Sequence, residues 1–193
     1  DGIEFCRNIK TDERTSHLPV ILLTARHSHE KQMEGLMSGA DDYIFKPFNR
    51  EVLRTRIINL LNLRSELHQK FRNSTSLDFD HEGTYDSDKK LIQSIIDMVL
   101  ENITNEKINA DFIAKRLHIS RSLIYIKTEA LTGQSVNEFI RNIRLKKATR
   151  LLLQKKYTIT EVAYAVGFSS QSYFTRCFTS QFGRSPSEYA GEN

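Results

Sequence analysis

The sequence predicts a mixed fold: a partial α/β unit, with two parallel strands between helices, followed by an all-α domain. Two observations predict this division. Short apolar runs rich in β-branched residues occur within residues 1–71, whereas helical periodicity with regularly spaced helix-start signals fills residues 85–193. Residues 72–84 between them are polar and turn-forming, which indicates a linker.

The N-terminal part contains a strand-helix-strand pattern. The apolar run from Pro19 to Thr24 is typical of a parallel strand buried on both faces, and Asp42–Phe45 is a second such run. Residues 28–38 between them show helical periodicity and end at Gly39, a suitable helix stop. Further helices are predicted at residues 2–10 and from the N-cap Asn49 as far as residue 71.

Two strands alone make a poor sheet, because parallel sheets need several strands covered on both faces. The chain begins at Asp1, without a Met, a basic leader or an apolar signal core. We therefore expect the sequence to be a piece of a longer polypeptide whose earlier residues supply the remaining strands.

The C-terminal part is helical throughout. Helix-start signals recur at Asn109, Ser135, Thr158 and Ser185, and the last three have a Glu three residues on, as in a capping box. The helices are predicted at residues 87–102, 110–117, 121–132, 136–154, 160–166, 171–182 and 186–190.

An internal repeat is the most informative feature of this part. Phe112–Leu117, a turn and a helix ending at Gly133 recur as Glu161–Val166, a turn and a helix ending at Gly183. The offset is 49 residues for the first helix and 50 for the second. A short helix with a buried Ala, a tight turn and a second amphipathic helix make a helix-turn-helix unit. The two units are predicted at residues 109–133 and 159–183.

Charge is unevenly distributed along the chain. Residues 1–84 have a net charge of −1 and residues 85–193 a net charge of +5. Seven basic residues and no acidic one lie between Arg141 and Lys156, which favours a polyanionic partner. No apolar run approaches the ~20 residues that a membrane span needs. Cys6 and Cys177 are far apart and match no disulfide or metal pattern, so we expect a reducing, cytoplasmic location.

Residues 85–193 resemble the AraC-type (AraC/XylS) DNA-binding domain over its whole length. The resemblance is strongest in Ile159–Phe168, Ser172–Phe178 and Gly183–Tyr189. Residues 1–71 resemble the C-terminal half of a response-regulator receiver, which has a flavodoxin-like fold, through Leu22–Ala25, Gly39–Tyr43 and Lys46–Phe48. Together they resemble the cytoplasmic end of hybrid two-component systems, in which sensor kinase, receiver and AraC-type output share one polypeptide.

The receiver resemblance implies a phosphorylation switch. Thr24 would bond the phosphoryl group, Lys46 would pair with its oxygens, and Tyr43 lies near the position of the switch aromatic. The phosphate-accepting carboxylate and the acidic ligands of Mg²⁺ would precede Asp1, so we expect no phosphorylation and no metal cofactor in this fragment. Asp41 and Asp42 need no ion, and His27 and His29 are expected to be solvated.

The resemblance also implies a double-stranded DNA partner, with base contacts from the exposed positions of the two second helices. The family commonly has a basic residue where Ile126 stands, so we expect Lys127 to turn toward the groove instead. Phosphate contacts are expected from the helix that joins the units. The predicted DNA-binding residues are Arg121, Ser122, Tyr125, Lys127, Gln171, Ser172, Thr175, Arg176, Arg144, Lys146 and Lys147.

Two alternatives stay open. The chain could be a phosphotransfer module whose helical domain binds a protein, or a dimerisation element whose exposed strands pair with a second copy. The leading interpretation makes it a DNA-binding transcription regulator fed by a histidine kinase region on the same polypeptide. No Ser-His-Asp arrangement, phosphate-binding Gly loop or zinc spacing is visible, so an enzyme is not expected.

Overall fold

A computed structural model describes residues 1–25, 33, 35, 37–77, 79 and 86–191. The chain divides into two compact units. The first contains Asp1–His68 and His81–Lys89, and the second contains Gln69–Asp80 and Lys90–Asn193.

The first unit contains the predicted parallel strands. Helix α1 (Gly2–Thr11) is followed by β1 (Ile21–Thr24) and β2 (Asp42–Phe45), which pair in parallel with Ile21 opposite Asp42. The predicted helix at residues 28–38 is helical at positions 33, 35 and 37, and its other residues, with His27 and His29, lie outside the described residues except for Ser38, which is a turn. The mixed fold class is therefore confirmed.

The predicted linker at residues 72–84 differs from the structure. Helix α2 (Arg50–Asn73) is longer than expected and enters that segment, and Leu77 and Phe79 beyond it are buried at 5% exposure each. The apolar residues of this segment are few and lie among polar ones, so the sequence indicated a linker. Leu77 and Phe79 instead belong to the hydrophobic core of the second unit.

The helices of the second unit lie within one or two residues of the predicted bounds. Their N-caps Asn109, Ser135 and Thr158 accept backbone N–H bonds as expected, and the Ser135 and Thr158 caps form complete capping boxes with Glu138 and Glu161. The helices are α3 (Asp86–Glu101), whose first four residues belong to the first unit, α4 (Ala110–Leu117), α5 (Arg121–Thr132), α6 (Val136–Leu153), α7 (Ile159–Ala165), α8 (Gln171–Phe182) and α9 (Pro186–Gly191).

Two hydrophobic clusters hold this unit together. The first joins α3, α4, α5 and the start of α6 with Phe71, Leu77 and Phe79. The second joins the end of α6 with α7, α8 and α9 through Phe168, Phe174 and Phe178. Helix α6 contributes to both clusters, so each pair of short helices packs on one half of the same central helix. Ala114 and Ala163 are buried, as expected for closely crossing helices.

In the part of the chain that the structure describes, no helix is both long enough and apolar enough to cross a bilayer.

Candidate functional site

Helix α5 presents the candidate DNA-contacting surface of the first helix-turn-helix unit. Ser120 caps it by accepting the Leu123 N–H, and its first turn then presents Arg121 and Ser122 to solvent. The Arg121 guanidinium lies 5.5 Å from the centre of the Tyr125 ring and 3.3 Å from an Asp111 carboxylate oxygen. Tyr125 is exposed, so the pair stands at the surface as a partly oriented cation beside an aromatic face.

Helix α8 presents the corresponding surface of the second unit. Ser170 caps it, and Gln171, Ser172 and Arg176 are exposed while Thr175 is half-buried. The Gln171 side-chain oxygen accepts a hydrogen bond from the Thr160 hydroxyl at 2.8 Å. This contact holds the Gln171 side chain against α7 and limits its rotamer freedom.

Sequence reasoning missed Tyr173 on this surface. Its ring is 40% exposed, the Arg176 guanidinium lies 5.3 Å from the ring centre, and the Arg141 guanidinium donates to its hydroxyl at 3.3 Å. The available signal was its position three residues before Arg176, which places both on one helix face.

The predicted groove contact by Lys127 is contradicted by the structure. Lys127 is only 1% exposed and belongs to the buried side of α5, together with Ile124 and Thr128. The exposed side chain next to it is Ile126, at 49%. Helical spacing puts residues 124, 127, 128 and 131 on one face, and that face packs inward.

The phosphate contact predicted for Lys146 is also contradicted, and the guanidinium of Arg144, predicted for the same role, binds backbone carbonyls. Lys146 is fully buried, and its ammonium donates to the Phe71 carbonyl at 2.6 Å and the Ser76 carbonyl at 2.9 Å. Burial lowers the pKa of Lys146 to about 8. The half-buried Arg144 guanidinium donates to the carbonyls of Asn105 and Gly167, at 2.7 and 3.0 Å.

Lys147 remains half-exposed on the central helix, so its predicted contact is compatible with its position. Basic residues on α6 therefore serve two purposes. Lys146 and Arg144 bind backbone carbonyls inside the domain, while Arg141 and Lys147 retain surface on the same helix. A count of charges along the sequence cannot distinguish these two roles. Helix α6 packs on two sides, so some of its own basic side chains are buried.

The predicted switch residues lie on the two strands of the small sheet or directly after them. Thr24 ends β1 opposite Phe45, and the Lys46 backbone N–H donates to the Thr24 carbonyl at 2.6 Å. Thr24 and Tyr43 both line a cleft of about 210 Å³. Tyr43 is buried, and a Cβ at Gly35 would lie 2.6 Å from its ring, so the aromatic side chain rests against a bare backbone.

Among the described residues of this unit, Asp41 and Asp42 do not form a magnesium site. Asp41 accepts from the Lys10 ammonium at 2.6 Å and from the Val20 backbone N–H at 2.7 Å, while Asp42 lies 3.3 Å from the Arg56 guanidinium. Among residues 1–25, 33, 35, 37–77, 79 and 86–191, no three acidic, His or Cys side chains gather as metal ligands. Both carboxylates are therefore structural partners of cations.

The chain matches two family models. Residues 113–192 match the helix-turn-helix domain model, and residues 1–58 match the response regulator receiver domain model. Two of the solved structures that it resembles are below 25% identity, so they bear on the fold alone. A regulator from Chromobacterium violaceum with an AraC-type domain has a TM-score of 0.52 at 23% identity, covering 56% of this chain and 96% of that one. ToxT from Vibrio cholerae has a TM-score of 0.51 at 24% identity, covering 75% and 50%.

Sequence relatives extend across both units. The chain is 41% identical over 188 residues to a protein named histidine kinase P4 from Formosa agariphila, which is 97% of this chain and 14% of that protein. It is 30% identical over 158 residues to the HTH-type transcriptional activator RhaS of Salmonella arizonae, covering 81% of this chain and 51% of RhaS. The chain thus spans about half or less of these relatives.

Proposed function

Residues 113–192 belong to the AraC-type helix-turn-helix family and residues 1–58 to the receiver family, and on this premise we propose that the chain is the DNA-binding output end of a two-component regulator. The proposal covers sequence-specific binding to double-stranded DNA. It places the chain in the cytoplasm, assigns it no catalysis of its own, and includes a homodimer on DNA as one form of binding.

One observation carries this proposal. Helices α5 and α8 each have 12 residues, each begins after a capping Ser and each ends at a Gly in the left-handed conformation. Each also exposes polar or basic side chains in its first turns. Two matched helices on one connecting helix are the arrangement by which such proteins reach successive turns of the major groove.

The exposed groups suit readout of base edges. The guanidinium of Arg176 can pair with the O6 and N7 acceptors of guanine, and the amide of Gln171 can pair with the N6 and N7 groups of adenine. Arg121, Ser122 and Tyr125 offer donors on the first unit, and Thr175 with Ser172 offers hydroxyls on the second. Lys147 is suited to contact a phosphate, which orients a protein without reading sequence.

The N-terminal compact unit, which contains β1 and β2, is proposed to supply the regulatory input. Thr24, Tyr43 and Lys46, on these strands or directly after them, are candidates for the phosphorylation switch, and the names of the relatives support a kinase region on the same polypeptide. A complete receiver would hold Mg²⁺ on acidic residues that the described residues do not provide, so no step here depends on it.

Selection from a random DNA pool followed by binding measurements tests this function. The wild-type chain should enrich a defined sequence and bind it with a steep salt dependence, with a slope near −0.9 for each phosphate contacted. Gln171→Ala combined with Arg176→Ala should reduce preference for that sequence by about 30-fold or more, since two bidentate pairs at ~1–3 kcal/mol each contribute at least ~2 kcal/mol of discrimination.

Lys156→Ala is the matched control, because Lys156 is an exposed cation outside both helices. It should lower affinity for all duplexes about equally and leave sequence preference unchanged. If the double variant keeps its full sequence preference, α8 does not read the groove and the proposed function is wrong.

A further inference from the structure

Residue 72 lies where three helices of the second unit converge. Arg72 is in the last turn of α2, which begins in the first unit and ends in the second. Its guanidinium donates to the Gly133 carbonyl at 2.8 Å, and Gly133 is the C-cap of α5. Its own carbonyl accepts from Asn142 on α6 at 3.1 Å and from the side-chain amide of Gln181 in the last turn of α8.

The chain on either side of Arg72 is held by the central helix. The buried Lys146 ammonium binds the Phe71 carbonyl at 2.6 Å, the Ser76 carbonyl at 2.9 Å and the Ser74 hydroxyl at 3.3 Å. It also lies 3.7 Å from the centre of the Phe71 ring. A helix C-terminus leaves carbonyls without helical partners, and a cation with several oxygen acceptors satisfies them at a favourable end of the helix dipole.

These contacts make the end of α2 part of the DNA-binding domain rather than a tether to it. Resting on the proposed function, we propose that Arg72 is a positioning residue: it ties the C-terminal ends of α5 and α8 to the end of α2. The relative placement of the two helices, and hence the DNA spacing they fit, then depends on this joint. A displacement of α2 acts on both helices together.

The effect of this joint can be measured separately from the effect of ordinary helix packing. Arg72 is an exposed side chain, so Arg72→Ala removes its hydrogen bond to the Gly133 carbonyl without opening a cavity and leaves in place the backbone carbonyl that accepts from Asn142 and Gln181. Lys70, two residues earlier and also exposed, has the same charge and serves as the matched control. Arg72→Ala and Lys70→Ala therefore differ in the joint and not in net charge.

Hydrogen exchange in the free chain tests the joint without DNA. In Arg72→Ala, amides at residues 129–134 should exchange about 3- to 10-fold faster than in Lys70→Ala, as expected for a loosened helix end, while residues 179–184, held through the retained backbone carbonyl of residue 72, should be unchanged. Gln181→Ala should accelerate exchange at 179–184 and leave 129–134 unchanged. Equal exchange in Arg72→Ala and Lys70→Ala would overturn the proposal.

Binding to spaced duplexes tests the consequence. The probe is the duplex selected by the wild-type chain, together with a copy lengthened by two base pairs between the contacted segments. The wild-type chain and Lys70→Ala should lose 10-fold or more in affinity for the longer duplex, and Arg72→Ala should lose less than about 3-fold. Equal losses in all three would overturn the role in spacing. If the wild-type chain selects no sequence, the proposed DNA-binding function fails, and the exchange measurement still decides on the joint.

Discussion

The two helix-turn-helix units share a plan and differ in how each closes its core. In the second unit, the Phe178 ring lies 4.7 Å from Phe182 and 5.4 Å from Tyr189, so α8 and α9 complete an aromatic cluster from adjacent sequence. The first unit has Thr128 at the position equivalent to Phe178 and shares its cluster with residues 71–79. A repeated motif therefore need not be equally self-sufficient in both copies.

The same comparison separates their reading surfaces. With the 50-residue offset, Ile126 takes the place of Arg176, and Leu123 that of Tyr173. The second unit thus combines an apolar core with a cationic surface. The first buries cationic and hydroxyl groups and exposes an apolar side chain. We expect the second unit to dominate base discrimination and the first to be the one more dependent on the chain that precedes it.

The largest expected effect comes from the turns. Gly167 has a φ of +81°, and a Cβ there would lie 2.1 Å from the Ile103 carbonyl oxygen, so Gly167→Ala should destabilise the chain by about 3 kcal/mol or more. His118 occupies the left-handed turn of the first unit at φ 56°, and His118→Gly should change stability by less than about 1 kcal/mol. Urea unfolding measures both, and similar effects would show that the turns are equivalent.

A smaller effect should sharpen the difference between the cores. The Thr128 hydroxyl is buried without a hydrogen-bond partner among the described residues, so Thr128→Val should raise the free energy of unfolding by about 1 kcal/mol. Thr132→Val is the control, because the Thr132 hydroxyl donates to the Thr128 carbonyl at 2.6 Å and its removal should be destabilising. A loss of stability in Thr128→Val would contradict this account of the first core.

The surfaces can be equalised by Ile126→Arg. Ile126 is exposed, so the cation would stand where Arg176 stands on the second unit, and the salt dependence of DNA binding should steepen by a slope of about 0.9. Ile126→Gln adds a polar group without charge and should leave the slope unchanged. Salt titrations by fluorescence anisotropy measure the slope, and identical slopes for both variants would place Ile126 away from the duplex.

The smallest effect concerns the helix caps. The Glu161 carboxylate accepts hydrogen bonds from the Thr158 backbone N–H and, with a smaller effect, from the Thr158 hydroxyl. These bonds lower the pKa of Glu161 below its usual value. A carboxyl with a lowered pKa stabilises the fold above its unfolded pKa, and that contribution is lost as the pH falls through the folded value. The start of α7 should therefore fray as the pH falls below the unfolded pKa of Glu161 and through its lower folded value, whereas α4, capped by the non-titrating Asn109, should not.

Glu161→Gln checks this cap directly. Amide protection factors at residues 158–162, corrected for the intrinsic pH dependence of exchange, should be lower than wild type near neutral pH and should lose their acid dependence. Protection at residues 109–113 should stay as in wild type. Acid sensitivity that persists in Glu161→Gln would assign the fraying to another group.

Local signals made much of the fold predictable. Caps such as Ser135 and Thr158, the Gly residues that end α5 and α8, and the apolar run of β1 all act over four or five residues. All the residues that produce such a signal therefore stand next to one another in a single sequence. The repeat offset was equally visible, because it compares short segments with one another.

Long-range packing decided what the sequence left open. Lys127 and Lys146 look like surface cations in any charge count, and Leu77 and Phe79 lie in a polar stretch that looks like a linker. Their burial depends on carbonyls and rings supplied by segments up to 75 residues away, such as the Phe71 carbonyl that accepts from Lys146.

The sequence alone therefore determined where the helices begin and end and that two similar units repeat. Only the tertiary structure decided which basic side chains face solvent and where the C-terminal end of α2 is anchored. The physical reason is that helix starts depend on neighbouring backbone N–H groups, whereas the burial of a cation depends on whether distant acceptors replace the water it loses.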